Sequence, residues 1–142
     1  MANDIRILVI DDNQNWQKKL PEILSRLGNG VHIDVAANYE AALGYINSES
    51  YRLATIDLSL VRDPYAPKNS KLLGVELVQA FRQSPNNANC SLIILTGYPM
   101  PNQAKQLLRT YRIVEFIDKG EFDNYDFIEL AKGAILPKST VS

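Results

Sequence analysis

Cysteine and histidine are nearly absent from the chain: Cys90 and His32 are the single representatives of each. An intramolecular disulfide is thereby excluded, and so are a Cys/His zinc cluster and any catalytic arrangement that needs several histidines. A reducing, cytoplasmic setting is the natural expectation. Neither sign of charge dominates. Fifteen basic residues against sixteen acidic ones leave a formal charge of −1, without the basic excess that nonspecific binding to a phosphate backbone needs, so nucleic acid is not an expected partner. No apolar run approaches the roughly 20 residues that cross a bilayer, and Met1-Ala2-Asn3-Asp4 lacks the basic start of an export signal. A soluble chain without membrane association is expected. Repeats and low-complexity segments are missing as well.

What is present is a chain of 142 residues with 46% apolar content, enough for one core and cramped for two, so residues 1–142 read as a single domain with its core over about 4–136. Ile5 to Ile10 is β-branched and almost continuously apolar, as a strand buried on both faces should be (β1). Trp16, Leu20, Ile23, Leu24 and Leu27 follow at helical spacing (α1), with Asp12 or Asn13 as N-cap, Gly28 as the stop, and Pro21 predicting a kink or a tightened first half. Val31 to Ala36 alternates like a strand (β2), and Asn38 can cap a helix carrying Ala41, Ala42, Leu43 and Ile46 (α2). Arg52 to Ile56 is a third strand (β3). The stretch from Leu58 to Lys71, with Pro64, Pro67, Asn69 and Ser70, reads as a loop, longer than the about 2–6 residues usual for such a connection. Leu72 to Phe81 (α3), Ser91 to Thr96 (β4), a polar helix with Ala104, Leu107 and Leu108 inward (α4), Ile113 to Ile117 (β5) and a helix opened by Phe122 or Asp123 (α5) complete the pattern.

Five strands alternating with five helices predict a doubly wound parallel sheet with right-handed crossovers, for which the common five-strand order is 2-1-3-4-5. In that order β1 and β3 are neighbours where the winding reverses, and ligands bind outside their carboxyl ends. Four strands end in polar groups there or nearby: β1 in Asp11-Asp12, β3 in Asp57, β4 in Thr96-Gly97 and β5 in Asp118-Lys119. Three carboxylates in one crevice repel each other, and the remedies are a raised pKa or a bound cation. All-oxygen ligation selects a hard ion; Mg2+ fits best, and Mn2+ could substitute. A carboxylate is also a competent nucleophile toward a phosphoryl group, provided the charge on the transferring oxygens is neutralised. The Thr96 hydroxyl and the long Lys119 side chain can supply that, while Gly97 leaves room for the incoming group.

Asp11-Asp12 after β1, Asp57 after β3, Thr96 after β4 and Lys119 after β5 together resemble the receiver domain of two-component response regulators, over nearly the whole chain. The resemblance implies a flavodoxin-like fold in which Asp57 is the phosphoacceptor. Asp12 would be a direct Mg2+ ligand, Asp11 would act largely through water, and the backbone carbonyl of Ser59 would complete the metal site. It also implies that Thr96, Lys119 and the backbone of Gly97 contact the phosphoryl group, and that Thr96 and Phe116 switch the α4–β5–α5 face. A sensor histidine kinase or histidine phosphotransfer protein would be the donor, and an effector domain or protein the recipient of the signal. A phosphorylation-dependent homodimer is compatible with it. Such a domain is not an enzyme in the ordinary sense, since it promotes the phosphorylation and dephosphorylation of its own aspartate.

The sequence departs from the family pattern in three places. Val61 stands where a proline usually follows the acceptor by four residues, and the likely counterpart of the next glycine, Gly74, comes much later, so the β3–α3 loop is enlarged and is expected to bear on partner choice. Gly120 follows Lys119 in place of the common proline, which argues against the family's cis peptide. Tyr98 lies two residues after Thr96, where its ring could overhang an acyl phosphate and slow its hydrolysis. Singly, each signal has a bland reading: Asp11-Asp12 as a helix cap, Thr96 as a backbone partner, Trp16 and Phe116 as packing, Lys105, Arg109 and Arg112 as a solvated face. The rivals are a pseudo-receiver that signals by constitutive contacts, and an aspartate-nucleophile phosphatase. The phosphatase usually carries Asp-x-Asp after its first strand, where this chain has Asp11-Asp12-Asn13.

Overall fold

The apolar run Ile5–Ile10 forms the predicted first strand, β1, and Ile7, Leu8 and Val9 are completely shielded from solvent on it, which requires cover on both faces. That cover is visible in the computed structural model of the protein, which describes residues 4–58, 73–97 and 102–136. Five parallel strands, β1, β2 (Val31–Ala36), β3 (Leu53–Asp57), β4 (Ser91–Thr96) and β5 (Ile113–Asp118), lie in the order β2-β1-β3-β4-β5. This is the expected flavodoxin-like arrangement. Strand alternation splits the core in two. Leu8, Ile10, Ala54, Ile56, Leu92 and Ile94 meet Ala42 and Ile46 of α2 (Tyr39–Ser48), Leu77, Val78 and Phe81 of α3 (Leu73–Gln83) and Leu108 of α4 (Asn102–Arg109). Ile7, Val9, Leu53, Ile93 and Leu95 meet Leu20, Ile23 and Leu24 of α1 (Gln14–Leu24) and Phe127, Ala131 and Ile135 of α5 (Asn124–Ile135). With each such side chain contributing about 1.5–3 kcal/mol on burial, both layers are needed to hold strands that have no polar face.

The helix starts follow their caps. Asn13 Oδ1 accepts from the Asn15 and Trp16 amides at 2.9 and 3.3 Å, Asn38 Oδ1 from Ala41 at 2.8 Å, and Asp123 Oδ2 from Asp126 at 2.8 Å. Asn13, not Asp12, therefore caps α1. Pro21 sits inside an unbroken α1, and the tightened turn falls after it, as a 3₁₀ segment over Ser25–Leu27, not in the first half. A proline has no N–H to give, but helix-like φ suits it, and the packed face of Leu20, Ile23 and Leu24 holds the turn. Gly28 then stops the chain at φ 146°, in a region where a side chain is strained.

At the end of the sheet opposite the strand carboxyl ends, side chains satisfy the loops. The Arg82 guanidinium donates to the carbonyls of Ala88, Cys90, Tyr111 and Arg112, tying α3 to the starts of β4 and β5. Arg112, at φ 61°, is the one residue other than glycine with left-handed backbone among the described residues. Cys90 is buried and its thiol is pushed up to about 12 by desolvation, so it is inert packing. Among the described residues no helix is long and apolar enough to cross a membrane.

Candidate functional site

Two strands run one residue further than their apolar runs. Asp57 is the last residue of β3 and Asp118 the last of β5, so the polar groups remain on ladder-held backbone and do not pass into loops. The Leu58 amide still donates to the Leu95 carbonyl at 3.0 Å, fixing Asp57 between two bonded neighbours. Asp11, immediately after β1, donates its amide to the Ala36 carbonyl at 3.1 Å, and its own carbonyl accepts from Gln17 Nε2 at 2.9 Å. The result is a cluster in which Asp11, Asp12 and Asp57 each offer a carboxylate oxygen, all within 4.8 Å of one another. Asp11 and Asp57 are buried at 1% and 2% exposure, while Asp12 faces solvent.

Among the described residues one cation answers them. Lys119 follows β5 on a 3₁₀ turn over Lys119–Glu121, closed by Asp118 Oδ1 accepting from the Gly120 amide at 2.7 Å. Its Nζ lies 2.8 Å from Asp11 Oδ2 and 3.5 Å from Asp57 Oδ2, with the side chain only 13% exposed. Burial raises the Asp11 carboxyl above its ordinary 3.8 despite the Lys119 bond, and the charge of Asp57 pushes the same way. Asp12 is also raised, by desolvation first and then by the Asp57 charge. Among the described residues one lysine thus faces three carboxylates, and the donor set they offer is hard oxygen. That is the set a divalent hard cation takes, so Mg2+ fits the residues present.

The sequence-predicted residues divide as follows. Asp11, Asp12, Asp57 and Lys119 come together. Thr96 ends β4, 8% exposed and one position beyond the Leu95 partner of Asp57; Gly97 follows it, exposed, and among the described residues nothing lies within 4 Å of the position a Cβ would take. Phe116 is half-buried on the edge strand β5, packed against the core layer that holds α2, α3 and α4, and lines a groove of about 300 Å³ with Glu115, Asp118 and Asp126. Ser59, Tyr98 and the loop beyond Leu58 lie outside the described residues. No cis peptide occurs among the described residues, in line with glycine at position 120.

Gly74 explains why the displaced glycine is there. A Cβ at this position would stand 2.7 Å from Leu58 Cα and 2.9 Å from the carbonyl oxygens of Asp57 and Leu58, all backbone, so the first turn of α3 rests directly on the end of the Asp57 strand. Gly74→Ala is expected to destabilise the fold by about 1–3 kcal/mol and to displace Asp57 with it. Urea denaturation and the Mg2+ titration of the variant check this; unchanged values for both would refute the contact's importance.

Sequence reasoning missed what Trp16 does. It packs as expected, edge-to-face on Phe122 with ring centroids 5.0 Å apart, but its ring also stands 5.1 Å from Lys119 Nζ. The available signal was position: a residue in the first turn of α1 stands next to the Asp11-Asp12 pair. Asn13 was visible only as one of two caps; its side chain caps α1 while its amide donates to Asp11 Oδ1 at 2.9 Å and so orients that carboxylate.

With this geometry in view, comparison with known proteins is informative. The response regulator receiver domain profile matches residues 7–131. No curated protein gives a significant match. Among solved structures, a response regulator receiver domain protein from Methanospirillum hungatei is 25% identical, with 94% of each chain covered and a TM-score of 0.72. A response regulator from Burkholderia pseudomallei, described with a phosphorylated aspartic acid, calcium ion and citrate, is 24% identical over 89% of this chain and 66% of that one, TM-score 0.69. The receiver domain of a sensor histidine kinase from Pseudomonas aeruginosa, described with a magnesium ion coordinated in the active site cleft, is 17% identical over 94% and 98%, TM-score 0.71. The chain belongs to the response regulator receiver domain family, the phosphoacceptor modules of two-component signalling.

Proposed function

We propose that Asp57 accepts a phosphoryl group from a phosphohistidine on a partner protein, in a Mg2+-dependent step, and that the modified state is read on the α4–β5–α5 face. The observation that carries the reading is the Lys119 ammonium, 2.8 Å from Asp11 and 3.5 Å from Asp57 inside a three-carboxylate cluster. The similar structures described with a phosphorylated aspartic acid and with magnesium support it. Asp12, Asp57 and the Ser59 carbonyl would hold the metal directly, with Asp11 acting through water. A bound Mg2+ ion supplies charge neutralisation and orientation to the phosphoryl oxygens.

The chain's own groups do the rest. A carboxylate oxygen of Asp57 attacks phosphorus, the P–N bond of the donor breaks, and its electron pair stays on the departing imidazole. Lys119 leaves Asp11 for a phosphoryl oxygen, the Thr96 hydroxyl and the Gly97 amide donate to others, and these contacts exist only once Asp57 is modified. They shift the population toward a state in which Thr96 has moved toward the phosphoryl group and Phe116 has followed. Incubation with acetyl phosphate and Mg2+ is expected to add one phosphoryl mass to the wild type, and none to Asp57→Asn or without Mg2+. A wild type left unmodified by both acetyl phosphate and a cognate kinase would defeat the proposal.

A further inference from the structure

We propose that Trp16 is a positioning residue for Lys119; the inference rests on the reading of Asp57 as phosphoacceptor and extends it to a residue outside the acid, hydroxyl and lysine set. Among the described residues the Lys119 ammonium meets two carboxylates, Asp11 Oδ2 at 2.8 Å and Asp57 Oδ2 at 3.5 Å. The Trp16 ring lies 5.1 Å from the same nitrogen, within the range where a cation is attracted to an aromatic face.

The ring is itself held. Phe122 meets it at 5.0 Å with an interplanar angle of 82°, and Phe122 in turn packs on Phe127, a core residue at 1% exposure, at 5.1 Å. Lys19 Nζ stands 4.7 Å from both the Trp16 and the Phe122 centroids and joins the two rings from the solvent side of α1. The stack therefore runs from the α1–α5 core to Lys119.

Lys119 needs such a support. Its four-carbon stem has many rotamers to lose, and the backbone after it is glycine, in a short turn where the Gly120 amide donates to Asp118 Oδ1 at 2.7 Å and the Phe122 amide to the Lys119 carbonyl at 3.4 Å. In phosphoryl transfer its ammonium has to pass from Asp11 toward Asp57 without escaping into water. A hydrogen-bonding wall would bind one position and oppose the move. An aromatic face attracts the ammonium without fixing its direction, so the lysine slides along it while staying over the acceptor.

The test combines Trp16→Leu and Trp16→Phe with the wild-type and Lys119→Met backgrounds. Phosphoryl uptake from acetyl phosphate at saturating Mg2+ is expected to slow about tenfold in Trp16→Leu, and to return to within about threefold of wild type in Trp16→Phe, which keeps an aromatic face. In the Lys119→Met background Trp16→Leu is expected to change nothing further, because the ring acts through the lysine. Independently of any donor, proton NMR should show the Lys119 side-chain protons shifted upfield by the indole ring in wild type and not in Trp16→Leu. An equal fractional loss with and without Lys119, an unchanged rate in Trp16→Leu, or absence of the ring shift in wild type each overturns the proposal. A wild type that takes up no phosphoryl group overturns it together with the functional reading, whereas a reactive wild type matched by Trp16→Leu overturns the role of the ring alone.

Discussion

Asp57→Asn is expected to raise the melting temperature of the metal-free protein and, in the same protein, to abolish most of the stabilisation that Mg2+ gives the wild type. Three carboxylates lie within 4.8 Å of one another, two of them buried. At that separation a like-charge pair costs about 3 kcal/mol at an effective dielectric constant of about 20. Among the described residues Asp57 faces two such partners against the attraction of Lys119 at 3.5 Å, while Asp12 is exposed and screened by solvent. Removing the Asp57 charge should therefore relieve about 1–2 kcal/mol, or roughly 3–6 °C in a chain of this size. Mg2+ at about a hundred times its dissociation constant should stabilise the wild type by about 2.7 kcal/mol. Calorimetric melts of both proteins, each with and without Mg2+, measure both parts. A lower melting temperature in the metal-free variant, or equal Mg2+ stabilisation of the two proteins, would be inconsistent with Asp57 lying inside the cation site.

The same electrostatics set the pH dependence. Asp11 and Asp12 have folded-state pKa values raised above the ordinary 3.8, chiefly by desolvation, so the folded chain keeps these protons longer than the unfolded one. The favourable contribution is complete below the ordinary value and is lost as pH climbs from 3.8 through the raised values, with no further loss from these groups above them. Metal-free stability carried by these two groups should fall over that window, and saturating Mg2+ should flatten the fall.

Asn87→Ala is expected to be strongly damaging although it is far from the site, lowering stability by about 3 kcal/mol and the melting temperature by about 8–12 °C. Asn87 is 1% exposed; its Nδ2 donates to the carbonyls of Ile46 and Glu49 at 2.8 and 2.7 Å, and its Oδ1 accepts from the Tyr51 amide at 2.7 Å. One side chain thus ties the end of α2 and the start of β3 to the α3–β4 connection. Truncation takes the Asn87 partner from the Glu49 carbonyl and the Tyr51 N–H and leaves the Ile46 carbonyl with the longer Ser84 hydroxyl bond at 3.4 Å, and no alanine contact compensates. Thermal melts at fixed Mg2+ check the magnitude, and the end point of acetyl phosphate labelling at low temperature should stay unchanged, since these contacts lie at the opposite end of the sheet from Asp57. A melting temperature within about 2 °C of wild type would show that the loops satisfy themselves.

Much of this architecture was legible before any coordinates. Almost continuously apolar runs such as Ile5–Ile10 read as strands buried on both sides, and their alternation with helical spacing leaves a parallel, doubly wound sheet as the economical solution. The polar residues ending those runs, Asp11, Asp12, Asp57, Thr96 and Lys119, were therefore predictable as neighbours, because a parallel sheet brings its carboxyl ends to one edge. Boundaries were less legible. Asp57 and Asp118 extend their strands by a residue each, because ladder hydrogen bonds take no account of side-chain polarity.

Other features depend on residues far apart in sequence and had no local signature. Asn87 reads as one more turn residue in Ser84-Pro85-Asn86-Asn87 until the ends of α2 and β3 are brought against it. Gly74 reads as a displaced landmark until α3 is laid on the backbone of Leu58. Trp16 reads as one apolar position of a helix until Phe122 and Lys119 arrive from a segment about a hundred residues later. The sequence by itself determined which strands there are and hence which carboxylates and which lysine share an edge, since periodicity and chain order are local properties. The tertiary structure alone decided that Lys119 bonds Asp11 more closely than Asp57, and that an indole ring flanks its ammonium, because side-chain distances follow from how α1, β5 and α5 pack and not from the order of residues along any one of them.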